Sequence, residues 1–290
     1  MKVAVIGAGI VGLSTANWLK RYGQDVTLFD REDPGSQASF GNAGTYAKYA
    51  NIPTNSSSFF YLFPYLLLNK NSPLFFKRGK FIQSLPWLMQ YLSNCRQSKV
   101  RDTSNKLTTL LSLVDEGYED LFNDADIENL ISRESIFYVW SNKLFYNSAR
   151  KDFETREKTG VKIEIISKNE INDVEPNINN IFYKGALFKG SYFAKNPKKI
   201  SEKLLQLFIE KGGNFKKEKI DEIKILDTNK VNIHTNENTY TYDRIVICAG
   251  VWSKKLTDKL GENIPLASER GYHLMYPHPE NSISRPIAWQ

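Results

Sequence analysis

Gly7, Gly9 and Gly12 stand at the spacing Gly-x-Gly-x-x-Gly. They lie between the apolar run Lys2 to Ile6 and a stretch from Leu13 to Tyr22 that contains neither Pro nor Gly. That spacing suits a close approach of backbone to a pyrophosphate. Gly7 permits a tight turn from strand to helix, Gly9 puts no side chain over the phosphates, and Gly12 lets the helix pack close on the strand. The helix start at Ile10 and Val11 then turns its free N–H groups and the positive end of its dipole to the negative charge. Asp30 closes the next apolar run, about 20 residues on, where a carboxylate accepts hydrogen bonds from a ribose diol and disfavours a 2′-phosphate. The plainer alternative is a helix start that merely needs glycines.

Two later segments fit the same chemistry. Ser36 to Gly44 reads SQASFGNAG, small residues and one amide that let backbone pass close to a flat ligand. Asp243 to Ser253 reads DRIVICAGVWS, an apolar strand that runs into Ala249-Gly250 and a helix start. A parallel strand returning beside the first would bring its tip to the same ligand. An ordinary Gly/Ser loop and one more strand of an α/β sheet are the bland readings of these two.

The elements that must position these residues follow from periodicity and breakers. Lys2 to Ile6 and Asp25 to Phe29 are expected as strands flanking a helix that Gly23 stops, a parallel βαβ unit. Helices are expected over 56–68 and 74–93, a single long amphipathic helix over 97–123, and further helices over 143–159, 167–174, from Pro197 to Lys211, and over 251–260. Strands are expected over 135–140, 161–166, 181–188, 219–226, 231–235, 239–242, 244–248 and 271–276, with the chain ending in or just before another.

Composition bounds the rest. The chain has 290 residues, about two domains' worth, with 41% hydrophobic and 24% charged residues, which excludes wholesale disorder. Two cysteines and three histidines, all scattered, make neither a disulfide framework nor a Cys/His zinc site, so no metal is expected and a reduced, cytoplasmic protein is. The net charge of +7 reads as scattered surface lysine with no accompanying recognition motif, so no nucleic-acid partner is expected. Phe59 to Leu68, FFYLFPYLLL, is too short to span a bilayer and contains Pro64.

In order along the chain come the opening unit, Ser39 to Gly44, Asp173-Val174-Glu175-Pro176, the segment around Asn196-Pro197, and Ile245 to Ser253 followed by Glu269-Arg270-Gly271-Tyr272-His273. That order resembles the FAD-dependent D-amino-acid oxidase superfamily, and within it most the bacterial D-amino-acid dehydrogenase branch of the small-subunit type. The resemblance implies an α/β fold with a discontinuous, glutathione-reductase-type Rossmann domain for FAD and an α+β, antiparallel-sheet substrate domain. The first would be formed mainly by 1–50, 165–180 and 195–260, the second mainly by 51–164, 181–194 and 261–290. Gly7, Gly9, Ile10, Val11 and Gly12 would hold the pyrophosphate, and Asp30 and Arg31 the adenosine ribose. Ser39, Asn42, Ala43 and Gly44 would pass the ribityl chain and the flavin ring. Ile220 would meet the adenine through its backbone, and Ala249, Gly250 and Trp252 would close the cofactor from the other side.

The chemistry implied is hydride transfer from the α-carbon of a D-amino acid to the flavin, followed by hydrolysis to a 2-oxo acid and ammonia. Electrons would leave to a quinone chain or to oxygen. Arg270, Tyr272 and His273 are the catalytic candidates, Arg270 for the substrate carboxylate. On a strand, Arg270 and Tyr272 would share one face and His273 the other. Tyr46 and Tyr49 are candidates for the flavin edge. Oxidation of secondary amines such as sarcosine, glycine or hydroxyproline is the nearest alternative, and an incomplete nucleotide-binding subunit without activity of its own is another. FFYLFPYLLL and Pro86 to Met89 would make a peripheral membrane contact or, more plainly, a helix pair in a core. Members of the superfamily continue beyond the segment where this sequence stops, so a C-terminal part of the FAD domain is expected to be missing and FAD binding by the chain alone to be weak.

Overall fold

The computed structural model describes residues 1–55, 63, 65, 81–276 and 282–290. In chain order its elements are β1 (Lys2–Ile6), α1 (Ile10–Arg21), β2 (Asp25–Phe29), β3 (Thr45–Tyr46), α2 (Phe81–Asn94), α3 (Gln97–Leu111), α4 (Val114–Asp124), β4 (Ile131–Ser132), β5 (Ile136–Trp140), α5 (Lys143–Lys158), β6 (Ile163–Ile166), α6 (Ile171–Val174) and β7 (Lys184–Phe188). There follow β8 (Tyr192–Ala194), α7 (Pro197–Glu210), β9 (Asn214–Lys216), β10 (Ile220–Ile225), β11 (Val231–Thr235), β12 (Thr239–Tyr242), β13 (Arg244–Ile247), α8 (Ser253–Lys259) and β14 (Ile287–Trp289). They form two units. Unit 1 comprises 1–44, 117–132 and 194–278, and unit 2 comprises 45–116, 133–193 and 279–290.

Unit 1 is built on a parallel sheet in the order β13-β1-β2-β9. Val3 to Ile6 and Val26 to Phe29 are buried without a break, the pattern of strands covered on both faces. β13 pairs with β1 across most of the chain, Val3 opposite Arg244 and Ile6 opposite Ile247. α1 buries Gly12, Leu13, Ala16 and Asn17. Asn17 ties α1 to α7, its Nδ2 donating to the Leu13 and Leu204 carbonyls at 2.9 Å. α7 starts where the sequence places it, with Asn196 accepting from the Lys199 N–H at 3.0 Å and Pro197 at the first helical position. The antiparallel meander β10-β11-β12 packs Ile223, Ile233 and Tyr242 on Ala4, Ile6 and Phe29 of the sheet.

Unit 2 contains a sheet in the order β14-β5-β7-β6, antiparallel through β5, β7 and β6, with β14 added parallel to β5. Period-two alternation along β5 splits its side chains. Ile136 and Trp140 join Tyr49, Phe153 and Phe188 on one face, and Phe137 and Val139 join Ile166, Ile171 and Phe182 on the other. Glu175, from the Asp-Val-Glu-Pro segment, is 1% exposed, and its Oε2 accepts from both the N–H and the hydroxyl of Ser284 at 2.8 Å. Glu175→Ala is therefore expected to destabilise the chain by about 2 kcal/mol, because it removes two hydrogen bonds to a charged acceptor and the buried anchor of Ser284. Hydrogen exchange at Ile287–Trp289 should rise with it, and unchanged exchange there would refute the assignment.

Several expectations are corrected. The single helix over 97–123 is two, α3 and α4. Thr108, Thr109 and Ser112 donate their hydroxyls to the Ser104, Asn105 and Thr109 carbonyls, a local competition that weakens the helix where it ends. The strand over 181–188 begins only at Lys184, after a turn in which the Ile181 N–H donates to the Asn179 carbonyl. β9, directly after Gly213, lies outside the expected strands. The segment 271–276 is not a strand: among the described residues it has no ladder partner, and Tyr272 is 89% and Leu274 81% exposed, so neither hydrogen bonding nor burial holds it extended. Phe59 to Leu68 falls almost wholly outside the described residues. Pro86 to Met89 lies on α2, which exposes Ile82, Trp87 and Met89. Among the described residues no helix is long and apolar enough to cross a membrane.

Candidate functional site

The glycine turn works by exclusion of side chains. Gly7 has φ +109°, and a Cβ there would lie 2.5 Å from the Cys248 carbonyl oxygen. The Gly7 N–H donates to the Phe29 carbonyl at 2.7 Å and the Cys248 N–H to the Ile6 carbonyl at 2.7 Å. The chain is thus pinned between β2 and β13 as it turns. A Cβ on Gly12 would run into the Gly7 carbonyl. Gly9 caps α1 in extended backbone with no side-chain cap, and the first turn carries no acidic residue. Val11 in that turn is 63% exposed. The helix start thus has no cap from its own N-cap residue and no acid within its first turn, and it is open to solvent at Val11, features that suit an anion.

The other candidates of unit 1 gather around this turn. Asp30 reaches back from the end of β2, its Oδ2 accepting from the Ala8 N–H at 2.6 Å and its Oδ1 from the Glu32 N–H at 2.9 Å. Ser39 Oγ accepts from the Ile10 N–H at 2.8 Å. Asn42 shapes its loop, its Oδ1 accepting from the Gly44 N–H at 2.7 Å and its Nδ2 donating to the Ala38 carbonyl at 3.2 Å. Ala43 is exposed, and the Gly44 carbonyl accepts from the Ala194 N–H at 2.8 Å. Arg31 lies over the Trp252 ring, 4.6 Å from its centre, so the acidic end of β2 and the turn after Ala249-Gly250 meet. Beside Gly12, burial pushes the Cys248 thiol up.

The catalytic candidates divide. The His273 ring lies against Gly41, where a Cβ would come within 2.8 Å of Nδ1, and meets Phe40 edge-on at 5.8 Å. Arg270 and Tyr272 are exposed and are not brought to the glycine turn. Ile220 starts β10 opposite Thr235, with its side chain packed on the Ala4, Ile6 and Phe29 cluster. Tyr46 stacks on Tyr192 at 4.7 Å in unit 2. Tyr49 is a core residue of unit 2, meeting Phe188 at 4.9 Å, and burial pushes its phenol up. Sequence reasoning missed Ala8, whose backbone N–H meets Asp30, and Ser36, whose Oγ is buried without a hydrogen-bond partner among the described residues. Backbone donors leave no mark on residue type. Ser36 is marked only by its place in the small-residue loop.

The turn fits a dinucleotide cofactor: a cradle that a Cβ on Gly7 or Gly12 would fill, a helix start without an acid in its first turn, a carboxylate at the end of β2 and an orphaned hydroxyl in the following loop. Residues 2–290 match the family described as DAO, FAD dependent oxidoreductase. The chain belongs to this family of FAD-dependent oxidoreductases. The DAO-family chain is 28% identical over 281 residues to a D-amino-acid oxidase of Bradyrhizobium diazoefficiens, covering 96% of this chain and 66% of that protein. Among solved structures it resembles glycine oxidase from Geobacillus kaustophilus (TM-score 0.63, 17% identity, 89% of this chain and 58% of that one). It also resembles L-amino acid deaminase from Proteus vulgaris (TM-score 0.64, 15% identity, 91% of this chain and 50% of that one). The DAO-family chain thus spans between half and two thirds of the length of these relatives.

Proposed function

We propose that the chain serves the FAD-dependent oxidation of the amine of an amino acid, a D-amino acid first among the candidates, to a 2-oxo acid and ammonia. The carrying observation is the glycine turn with Asp30 and Ser39 upon it, in a chain 28% identical over 96% of its length to a D-amino-acid oxidase. FAD, when bound, supplies the acceptor for the hydride. Unit 1 is assigned to the cofactor. Gly7, Gly9 and Gly12 admit the pyrophosphate, and the start of α1 at Ile10 and Val11 faces it, the Ile10 N–H leaving Ser39 Oγ to donate to it. Asp30 accepts from the ribose and Arg31 with Trp252 flanks it. Ser39, Asn42, Ala43 and Gly44 pass the ribityl chain, Ile220 meets the adenine, and Ala249 and Gly250 close the far side. Arg270 and Tyr272 remain the proposed contacts for the substrate, and His273 orders the loop at Gly41.

The test is an absorption spectrum of the chain loaded with FAD and desalted, followed by anaerobic D-amino acids in one cell and glycine or sarcosine in another. Bleaching by D-amino acids supports the first reading, and bleaching by glycine or sarcosine alone moves the assignment to secondary and small amines. A retained flavin that no amine bleaches refutes the reaction. Asp30→Ala is expected to weaken FAD binding by about tenfold to a hundredfold, the value of charge-assisted hydrogen bonds lost to the ribose. Titration by flavin fluorescence quenching checks this, and equal affinity of the two forms would remove Asp30 from the site.

A further inference from the structure

Unit 2 contains a cavity of about 480 Å³, of a size that takes a small ligand. Its lining includes Lys48, Lys162 and Lys189 and the polar side chains of Asn51, Thr108 and Thr159, and no acidic residue. Lys48 pairs with Asp115, and Lys189 with Glu164 at 2.5 Å, both acids lying outside the lining. Lys162 has no carboxylate partner among the described residues. At the inner end Asn51 is 2% exposed. Its Nδ2 donates to the hydroxyls of Thr108 (3.2 Å) and Thr159, while its Oδ1 is buried with no donor among the described residues. Behind Tyr49, which lines the cavity, the Arg156 guanidinium lies 5.3 Å over the Phe188 ring. Its Nε is buried without a hydrogen-bond partner among the described residues.

Of these cations Lys48 and Lys189 are paired and Asp152 interacts with Arg156, so Lys162 is the lining cation without a carboxylate among the described residues. Three lysines and no acid in the lining give the cleft a field of one sign, which attracts an anion. A buried amide oxygen without a donor calls for a hydroxyl or N–H from whatever enters, or for a water. We propose that the cavity between the 48–51 segment, the end of α3 and the turns at 159–162 and 189–190 binds a small organic anion, a carboxylate or phosphate held by Lys48, Lys162 and Lys189. A hydroxyl or amine on the same molecule meets Asn51 Oδ1.

Calorimetric titration of the full chain at low salt, with succinate, malate and inorganic phosphate in separate cells, tests this. Neutral succinamide is the control. Succinate and malate are expected to bind, malate about tenfold more tightly through its hydroxyl, and both to weaken as salt is added. Phosphate binding alone, without the dicarboxylates, would place the source of the charge in a phosphate group and still support the site. Lys162→Gln with Lys189→Gln removes two exposed charges, leaves the fold unchanged by circular dichroism, and is expected to weaken binding about tenfold, the ratio that 1.4 kcal/mol corresponds to. Heat from no anion, equal heat from succinamide, or affinity unaltered in the double variant would each overturn the proposal. Asn51→Asp, which keeps the shape and adds a negative charge at the inner end, should abolish binding of both dicarboxylates; full binding to that variant would equally overturn it.

Discussion

Gly12→Val is expected to abolish FAD binding in a fluorescence-quenching titration and to unfold unit 1 at room temperature. A Cβ at this position would collide with the Gly7 carbonyl oxygen and come within 2.9 Å of its carbon and 3.3 Å of Cys248 Cβ. Two of the three contacts are backbone, and that backbone is itself pinned by the Gly7 and Cys248 hydrogen bonds to Phe29 and Ile6. Overpacking against side chains costs about 1–3 kcal/mol. With no side chain to swing aside, the cost here should reach about 5 kcal/mol, comparable with the whole stability of a small domain. Gly23→Ala gives the contrast. Gly23 has φ +72° but nothing within 4 Å of an added Cβ, so only the left-handed backbone resists, at about 1–2 kcal/mol. Urea melts of both variants separate steric exclusion from backbone preference, and a Gly12→Val midpoint equal to that of the parent would refute the close packing of α1 on β1.

Trp140→Ala is expected to cost about 3–5 kcal/mol, the range for emptying an aromatic core site. Trp140 is 2% exposed, with Phe153 and Tyr146 at 5.6 Å and Tyr138 at 6.1 Å. Few neighbours can collapse into the space, because Phe188 and Phe153 are themselves held against each other at 5.9 Å. Calorimetry should show the loss in the transition of unit 2. FAD affinity, measured by titration below that transition, should be unchanged, since the residues assigned to the cofactor all belong to unit 1. Equal loss of FAD would refute that division of labour.

Local chemistry was legible where residue type alone decides geometry. Gly7 and Gly12 could be read because only glycine tolerates the contacts they make, Asp30 because the end of a strand after a βαβ turn is one position, and Pro197 because its ring suits a helix start. The return of β13 beside β1 was legible as a possibility from the Ile245 to Cys248 run. What stayed hidden depends on long-range partners. The 271–276 segment alternates like a strand, yet a strand exists only when another edge accepts its hydrogen bonds. The three-residue β9 carries too few side chains to show a period, and becomes a strand only because β2 offers it an edge. Thr108, Thr109 and Ser112 look like polar positions on the outside of one long helix, and the helix ends among them instead. Arg31 and Trp252, 221 positions apart in sequence, carry no mark of meeting.

The neighbour of β1 on one side is β13, which is made only after residue 243. During synthesis β1, α1 and β2 emerge early, but one edge of β1 stays without a partner until Ile247 has been added, roughly 12–50 s later at ordinary translation rates. Through that interval the ribosome-bound chain carries an apolar strand with free N–H and C=O groups, the kind of edge that pairs with a wrong strand or a second chain. The glycine turn completes its wall only when Cys248 arrives, so the nascent chain should gain the ability to hold a nucleotide only after that residue is made, and should depend until then on whatever shields the open edge of β1.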